Sequence, residues 1–88
     1  MKRLDLPKLN LVETGRRIDA IRAAKKMTVT DLREAFGFNT PQAIYKWLRG
    51  ETCPNVDNLL ILAWIFDVSI DEIIVADYPE TTASKGPD

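Results

Sequence analysis

Residues 28–49, TVTDLREAFGFNTPQAIYKWLR, decide the fold, because they read as two short helices separated by a glycine-punctuated turn. Thr28 is a cap for the first helix, with Asp31 three residues later to complete the capping pattern. Leu32 and Phe36, four apart, lay one apolar stripe along a helix from about 29 to 36, and Gly37 stands where helices often end on a left-handed residue. A second start signal follows in Asn39-Thr40-Pro41, with Thr40 as cap and Pro41 at the first position of a helix from about 41 to 49. On that helix Ile44, Trp47 and Leu48, spaced i, i+3, i+4, are expected to face inward. Two helices around a tight turn form a unit whose second helix can enter a DNA major groove, so its outward residues carry the question of function.

Gln42, Lys46 and Arg49 fall at i, i+4, i+7 on the other face, with Tyr45 beside them. An amide, two cations and a phenol on one stripe suit DNA. Glutamine bonds adenine in a bidentate manner, lysine reaches guanine or phosphate, and tyrosine bonds phosphate or packs on a thymine methyl. The same residue types also make an ordinary solvated helix face. Thr28, with the free N–H groups of the turn it opens, is a candidate phosphate clamp, although capping alone accounts for a threonine there.

Working outward, residues 1–9 hold Lys2, Arg3, Pro7 and Lys8 and are expected to be a flexible basic arm. Asn10 and Glu13 have the form of a capping box opening a first helix to about residue 25, with Ile18, Ile21, Leu11 and Thr14 on its buried side. After Gly50 and the loop through Pro54, Asn55 caps a strongly apolar helix to about residue 66. Leu59, Leu60, Leu62, Ala63 and Phe66 supply more apolar surface than one stripe needs, which makes this helix central. Ser69 and Glu72 form another capping box, opening a short fifth helix through Ile73, Ile74 and Val75. Those residues, with Tyr78, either cover a partner subunit or close the core. Residues 77–88, DYPETTASKGPD, are polar with two prolines and are expected to be disordered, leaving one helical domain over residues 10–76.

Composition narrows the function further. Eighty-eight residues make one small domain without room for a deep catalytic cleft. With no histidine and with Cys53 as the only cysteine, the usual zinc sets and the Ser-His and Cys-His nucleophile pairs cannot be assembled, so no enzyme, metal or cofactor is expected. The start MKRLDLPKLN lacks the apolar segment of a signal peptide, and no apolar run approaches the ~18 residues of a membrane span, so the expected location is cytoplasmic. The net charge of -1 hides a division: residues 1–50 carry eleven Lys/Arg against five Asp/Glu, and residues 51–88 carry one against eight. A basic half around the two-helix unit fits a nucleic-acid surface, and an acidic half fits a basic protein partner.

In order and spacing, TGRRIDAIR, MTVTDL, AIYKWLRG, Pro54 and DNLLILAWIFDVSIDEII resemble the Xre-type helix-turn-helix family, the lambdoid-phage-repressor-like DNA-binding domains, from about Thr14 to Val75. The resemblance implies an all-α bundle of five short helices around a central helix-turn-helix, a homodimer on double-stranded DNA, and transcriptional regulation, more often repression. It places base reading on Thr40, Pro41, Gln42 and Lys46 with Tyr45 alongside, and a phosphate contact on Arg49; Thr28 and Thr30 are the substitutes expected to contact phosphate where the family's glutamine is missing, with Lys26 close by. A protein-interaction module on the same scaffold, an antitoxin or phage-type inhibitor using the acidic half, is the alternative. Three positions depart from the family pattern. Val29 stands where a backbone-contacting glutamine is common, the link from Gly37 to Ile44 is one residue longer, and Leu48 replaces a glutamate that pairs with the arginine at Arg22. Arg22 is therefore expected to lie partly exposed near Asp19 or Glu51.

Overall fold

The computed structural model describes residues 6–79. Four α-helices, α1 (Leu11–Ala24), α2 (Val29–Phe36), α3 (Gln42–Leu48) and α4 (Val56–Phe66), are followed by a single 3₁₀ turn, Ile70–Glu72. A two-residue ladder closes the domain: β1 (Lys8–Leu9) runs antiparallel to β2 (Ala76–Asp77), with Lys8 opposite Asp77 and Leu9 opposite Ala76.

The caps hold as the residue types require. The Asn10 side chain accepts from the Glu13 N–H at 2.9 Å, although the Glu13 carboxylate turns to Arg16 at 2.7 Å instead of back to the cap. Thr28 and Asp31 form the full reciprocal box, at 3.0 and 2.8 Å, and Asn55 accepts from the Asn58 N–H at 2.8 Å. Inside, Ile18, Leu32, Ile44, Leu62, Phe66 and Ile73 are fully buried, so every helix and the 3₁₀ turn's exit feed one core. Thr14 is buried beside them, whereas Leu11, Ile21 and Leu48 are only half-buried.

Two elements differ from expectation. The fifth helix is a single 3₁₀ turn: the Glu72 carboxylate accepts from both the Ser69 N–H (3.0 Å) and its hydroxyl (3.1 Å) at its start, and after Ile73, which keeps a helical backbone, the chain leads through Ile74 and Val75 into an extended segment ending in β2. Thr14 captures that extended segment. Its hydroxyl oxygen accepts from the Val75 N–H at 2.9 Å, and the Val75 carbonyl accepts from the Asn10 N–H at 2.8 Å. The second difference lies at the ends. Lys8 and Leu9, expected in a flexible arm, and Asp77, expected in a disordered tail, are paired in the ladder, with the Asn10 amide donating to Asp77 at 3.2 Å. The rest of that arm to residue 5, and the tail from residue 80, lie outside the described residues.

Arg22 meets the expectation for it. Its guanidinium donates to the Asp19 carboxylate at 2.8 Å and to the Met27 carbonyl at 2.6 Å, half-buried. Between α1 and α2 the chain turns through Lys26, a non-glycine residue at φ 60. The left-handed region costs an L side chain about 1–2 kcal/mol, against about 0.5–1 kcal/mol for glycine's extra unfolded-state freedom. Lys26→Gly is therefore expected to raise stability by roughly 0.5–1 kcal/mol in a denaturant titration.

Candidate nucleic-acid interface

The angle between α2 and α3 is set by the turn between them. Gly37 has φ 75, a left-handed value that glycine adopts without steric cost, and it ends α2 in the expected way. Phe38 then folds back so that its ring stacks on Phe36 with centroids 5.0 Å apart, and both rings meet Trp47 edge-on, at 5.5 Å from Phe36 and 6.1 Å from Phe38. The Arg33 guanidinium donates to the Phe38 carbonyl at 3.0 Å and closes the turn. Phe38 is a positioning residue that sequence reasoning passed over. An aromatic two residues after Phe36, in a link one residue longer than usual, was its only signal.

The start of α3 also differs from expectation. The helix begins at Gln42, with Pro41 in the cap position rather than the first helical one: its carbonyl accepts from the Tyr45 N–H at 3.0 Å. A residue before proline is driven out of the α region, so Thr40 cannot continue a helix into Pro41. Thr40 does not cap in the expected way, its hydroxyl oxygen lying 3.5 Å from the Gln42 N–H, a long bond.

Ile44 and Trp47 point into the core, and Gln42, Tyr45, Lys46 and Arg49 line one shallow groove on the outer face of α3. All four are exposed. Nothing acidic lines that groove, and Lys46 makes no ion pair among the described residues. Glu51, just beyond it, accepts from the Arg49 Nε at 2.6 Å. That contact lowers the Glu51 carboxyl and raises the Arg49 guanidinium from their ordinary values, the hydrogen bond being the main cause in each. Among the described residues only Nε of Arg49 is engaged, which leaves the rest of its donor fork to an oxyanion.

The remaining expected contacts lie on other elements. Thr28 and Thr30 are exposed at the start of α2, and Lys26 is exposed in the turn before it. The Thr28 N–H is taken by Asp31, which leaves any anion there to the next amides of that first turn. Val29 is half-buried against the core, as an apolar residue in place of a polar contact must be. Of the expected subunit contacts, Ile73 is fully buried within the domain and offers no surface. Ile74 and Val75 are half-buried, and Tyr78 is 72% exposed. Cys53 is half-buried, and desolvation pushes its thiol up from the ordinary value, the direction of an unreactive group. Among the described residues there is no group of acidic, cysteine or histidine side chains placed to hold a metal, and no helix long and apolar enough to cross a membrane.

A family profile described as helix-turn-helix matches residues 18–73, which takes in the whole of α2, α3 and α4. The chain belongs to the helix-turn-helix family, in its Xre, lambda-repressor-like form. Among solved structures, the restriction-modification controller protein C.AhdI from Aeromonas hydrophila is 27% identical, with a TM-score of 0.64 over 72% of this chain and 94% of that one. The DNA-binding domain of BldD is 21% identical, with a TM-score of 0.65 over 75% and 94%, and the S. venezulae BldD domain is likewise 21% identical, at 0.65 over 75% and 97%. At that identity the two BldD domains speak for the fold alone. No curated protein matches the chain.

Proposed function

We propose that this helix-turn-helix protein is a sequence-specific, double-stranded DNA-binding transcriptional regulator that lays α3 in the major groove and acts as a repressor. The observation that carries the reading is the groove on α3. It brings together a bidentate amide (Gln42), a phenol (Tyr45) and two cations (Lys46, Arg49) on the one face of that helix the core leaves open. Gln42 and Lys46 read base edges, with Thr40 and Pro41 at the helix entrance and Tyr45 alongside. Arg49 positions the backbone together with Thr28, Thr30 and Lys26. The function is recognition rather than catalysis. The similarity to a controller protein of a restriction-modification system is in keeping with a regulatory role.

We further propose a homodimer on paired half-sites. Tyr78, with Ile74 and Val75, offers apolar surface for that contact. Selection of bound sequences from random DNA tests both parts. A palindromic site with a half-site spacing near one helical turn, about 34–36 Å, is expected, and no enrichment at any sequence would sink the reading. Within a selected site, Lys46→Ala is expected to relax discrimination at one base pair by ~1–3 kcal/mol. Arg49→Ala should instead weaken every sequence alike and flatten the salt dependence of the affinity.

A further inference from the structure

α4 was expected to be central, and one of its faces is not. Val56, Leu60 and Trp64, spaced i, i+4, i+8, are 74%, 60% and 82% exposed. They form a stripe about 12 Å long at 1.5 Å per residue. Trp64 and Leu60 continue into a shallow groove whose other apolar walls are Ala63, Val68 and Ile70, with Asp67 also lining it. A tryptophan exposes on the order of 200 Å², so this one side chain with its neighbours makes a contiguous apolar patch of the size that marks an interaction site.

The charges around the patch select what covers it. Among the described residues no Lys or Arg lines the groove, and residues 51–79 carry six Asp/Glu and no Lys/Arg. Asp57 sits beside the stripe one turn before Ile61, and Asp67 caps its far end. If a second copy packed its α4 antiparallel on this one, Asp57 would meet the other copy's Asp67. A parallel arrangement would set each carboxylate against itself. Either way like charges are brought together at the edge of an apolar contact, which opposes association. A segment with apolar anchors on one stripe and Lys/Arg flanking them meets both features at once, in the way an amphipathic helix lies in an apolar groove.

We propose that the Leu60–Trp64–Val68–Ile70 groove docks a short basic amphipathic helix of another protein, with Trp64 and Leu60 as the apolar anchors and Asp57 and Asp67 pairing with its cations. The site is separate from the α3 groove and stands whether or not α3 reads DNA. The probe is a synthetic peptide of about 14 residues, leucine on one helical stripe and lysine elsewhere, titrated calorimetrically into the full chain, with a leucine/glutamate peptide of the same pattern as control. Saturable one-to-one binding of the lysine peptide alone is expected, with a blue shift of Trp emission as exposed Trp64 is covered and Trp47, already buried, stays as it is. Trp64→Ala is expected to weaken binding on the order of thirtyfold, as loss of an anchoring tryptophan does. The double variant Asp57→Asn, Asp67→Asn is expected to weaken it and remove its salt dependence; Asp67 has a left-handed backbone at φ 60, which asparagine also tolerates. Circular dichroism checks that both variants keep the fold. Equal binding of the lysine peptide to Trp64→Ala would overturn the proposal, as would equal binding of the two peptides. A concentration-dependent doubling of mass for the protein alone, abolished by Trp64→Ala, would equally overturn it, since a second copy would then be the occupant.

Discussion

Trp47→Ala is expected to lower the stability of the domain by about 3–5 kcal/mol, a large part of the 5–15 kcal/mol that a domain of this kind has in total. Trp47 is 4% exposed, and its ring is met edge-on by both Phe36 and Phe38. Truncation would leave a cavity at the junction of α2, the turn and α3, with fixed backbone around it that relaxes only in part. At this size the loss corresponds to a fall in melting temperature on the order of 20 °C, readable by circular dichroism. Any surviving folded fraction should also lose DNA affinity, because the ring that sets α3 against the turn is gone. Trp64→Ala is the internal control. At 82% exposure it is expected to move stability by no more than about 0.5 kcal/mol. Equal effects of the two substitutions would refute the assignment of the core.

Gly15→Ala is the second large effect, and its sign is opposite to what helix propensity dictates. In the middle of a helix, alanine is favoured over glycine by roughly 0.5–1 kcal/mol. At Gly15, however, an added Cβ would overlap the Trp47 carbonyl oxygen and stand 2.8 Å from that of Leu48. Both are backbone atoms at the end of α3, so neither can rotate aside. α1 and α3 must move apart, and overpacking of this kind typically costs 1–3 kcal/mol or more; a net loss of about 2–3 kcal/mol in denaturant unfolding is expected. Ala20→Gly, on an exposed position of the same helix, should lose only about 0.5–1 kcal/mol. If Gly15→Ala proved stabilising, α1 and α3 would not be in the close contact described.

Much of the fold was legible because it is written in local chemistry. Thr28 with Asp31, Gly37, and Asn55 each act within a few residues of themselves, and their roles follow from residue type. Arg22 was legible for a related reason: a half-buried guanidinium must find an acceptor, and Asp19 is one helical turn away. The α3 stripe came from periodicity alone, since burying Ile44 and Trp47 obliges Gln42, Tyr45, Lys46 and Arg49 to face out.

What failed did so where a local signal has more than one tertiary outcome. Ser69 and Glu72 open a turn, but whether it grows into a helix depends on Thr14, 61 residues away in the chain, capturing Val75. Ile73 and Ile74 are chemically alike, yet one is fully buried and the other is not. Pro41 marks the start of α3 in either register, and the turn, with Phe38 packed on Trp47, decides between them.

By itself, then, the sequence determined the helix-turn-helix, the caps of α1, α2 and α4, the division of charge and the outward stripe of α3, because each depends on interactions a few residues long or on helical period. Only the tertiary structure decided that α4 leaves Val56, Leu60 and Trp64 uncovered while Leu59, Leu62 and Phe66 close the core. An apolar residue signals burial by its transfer free energy alone, and which of many apolar faces is covered depends on the limited area its neighbours can offer.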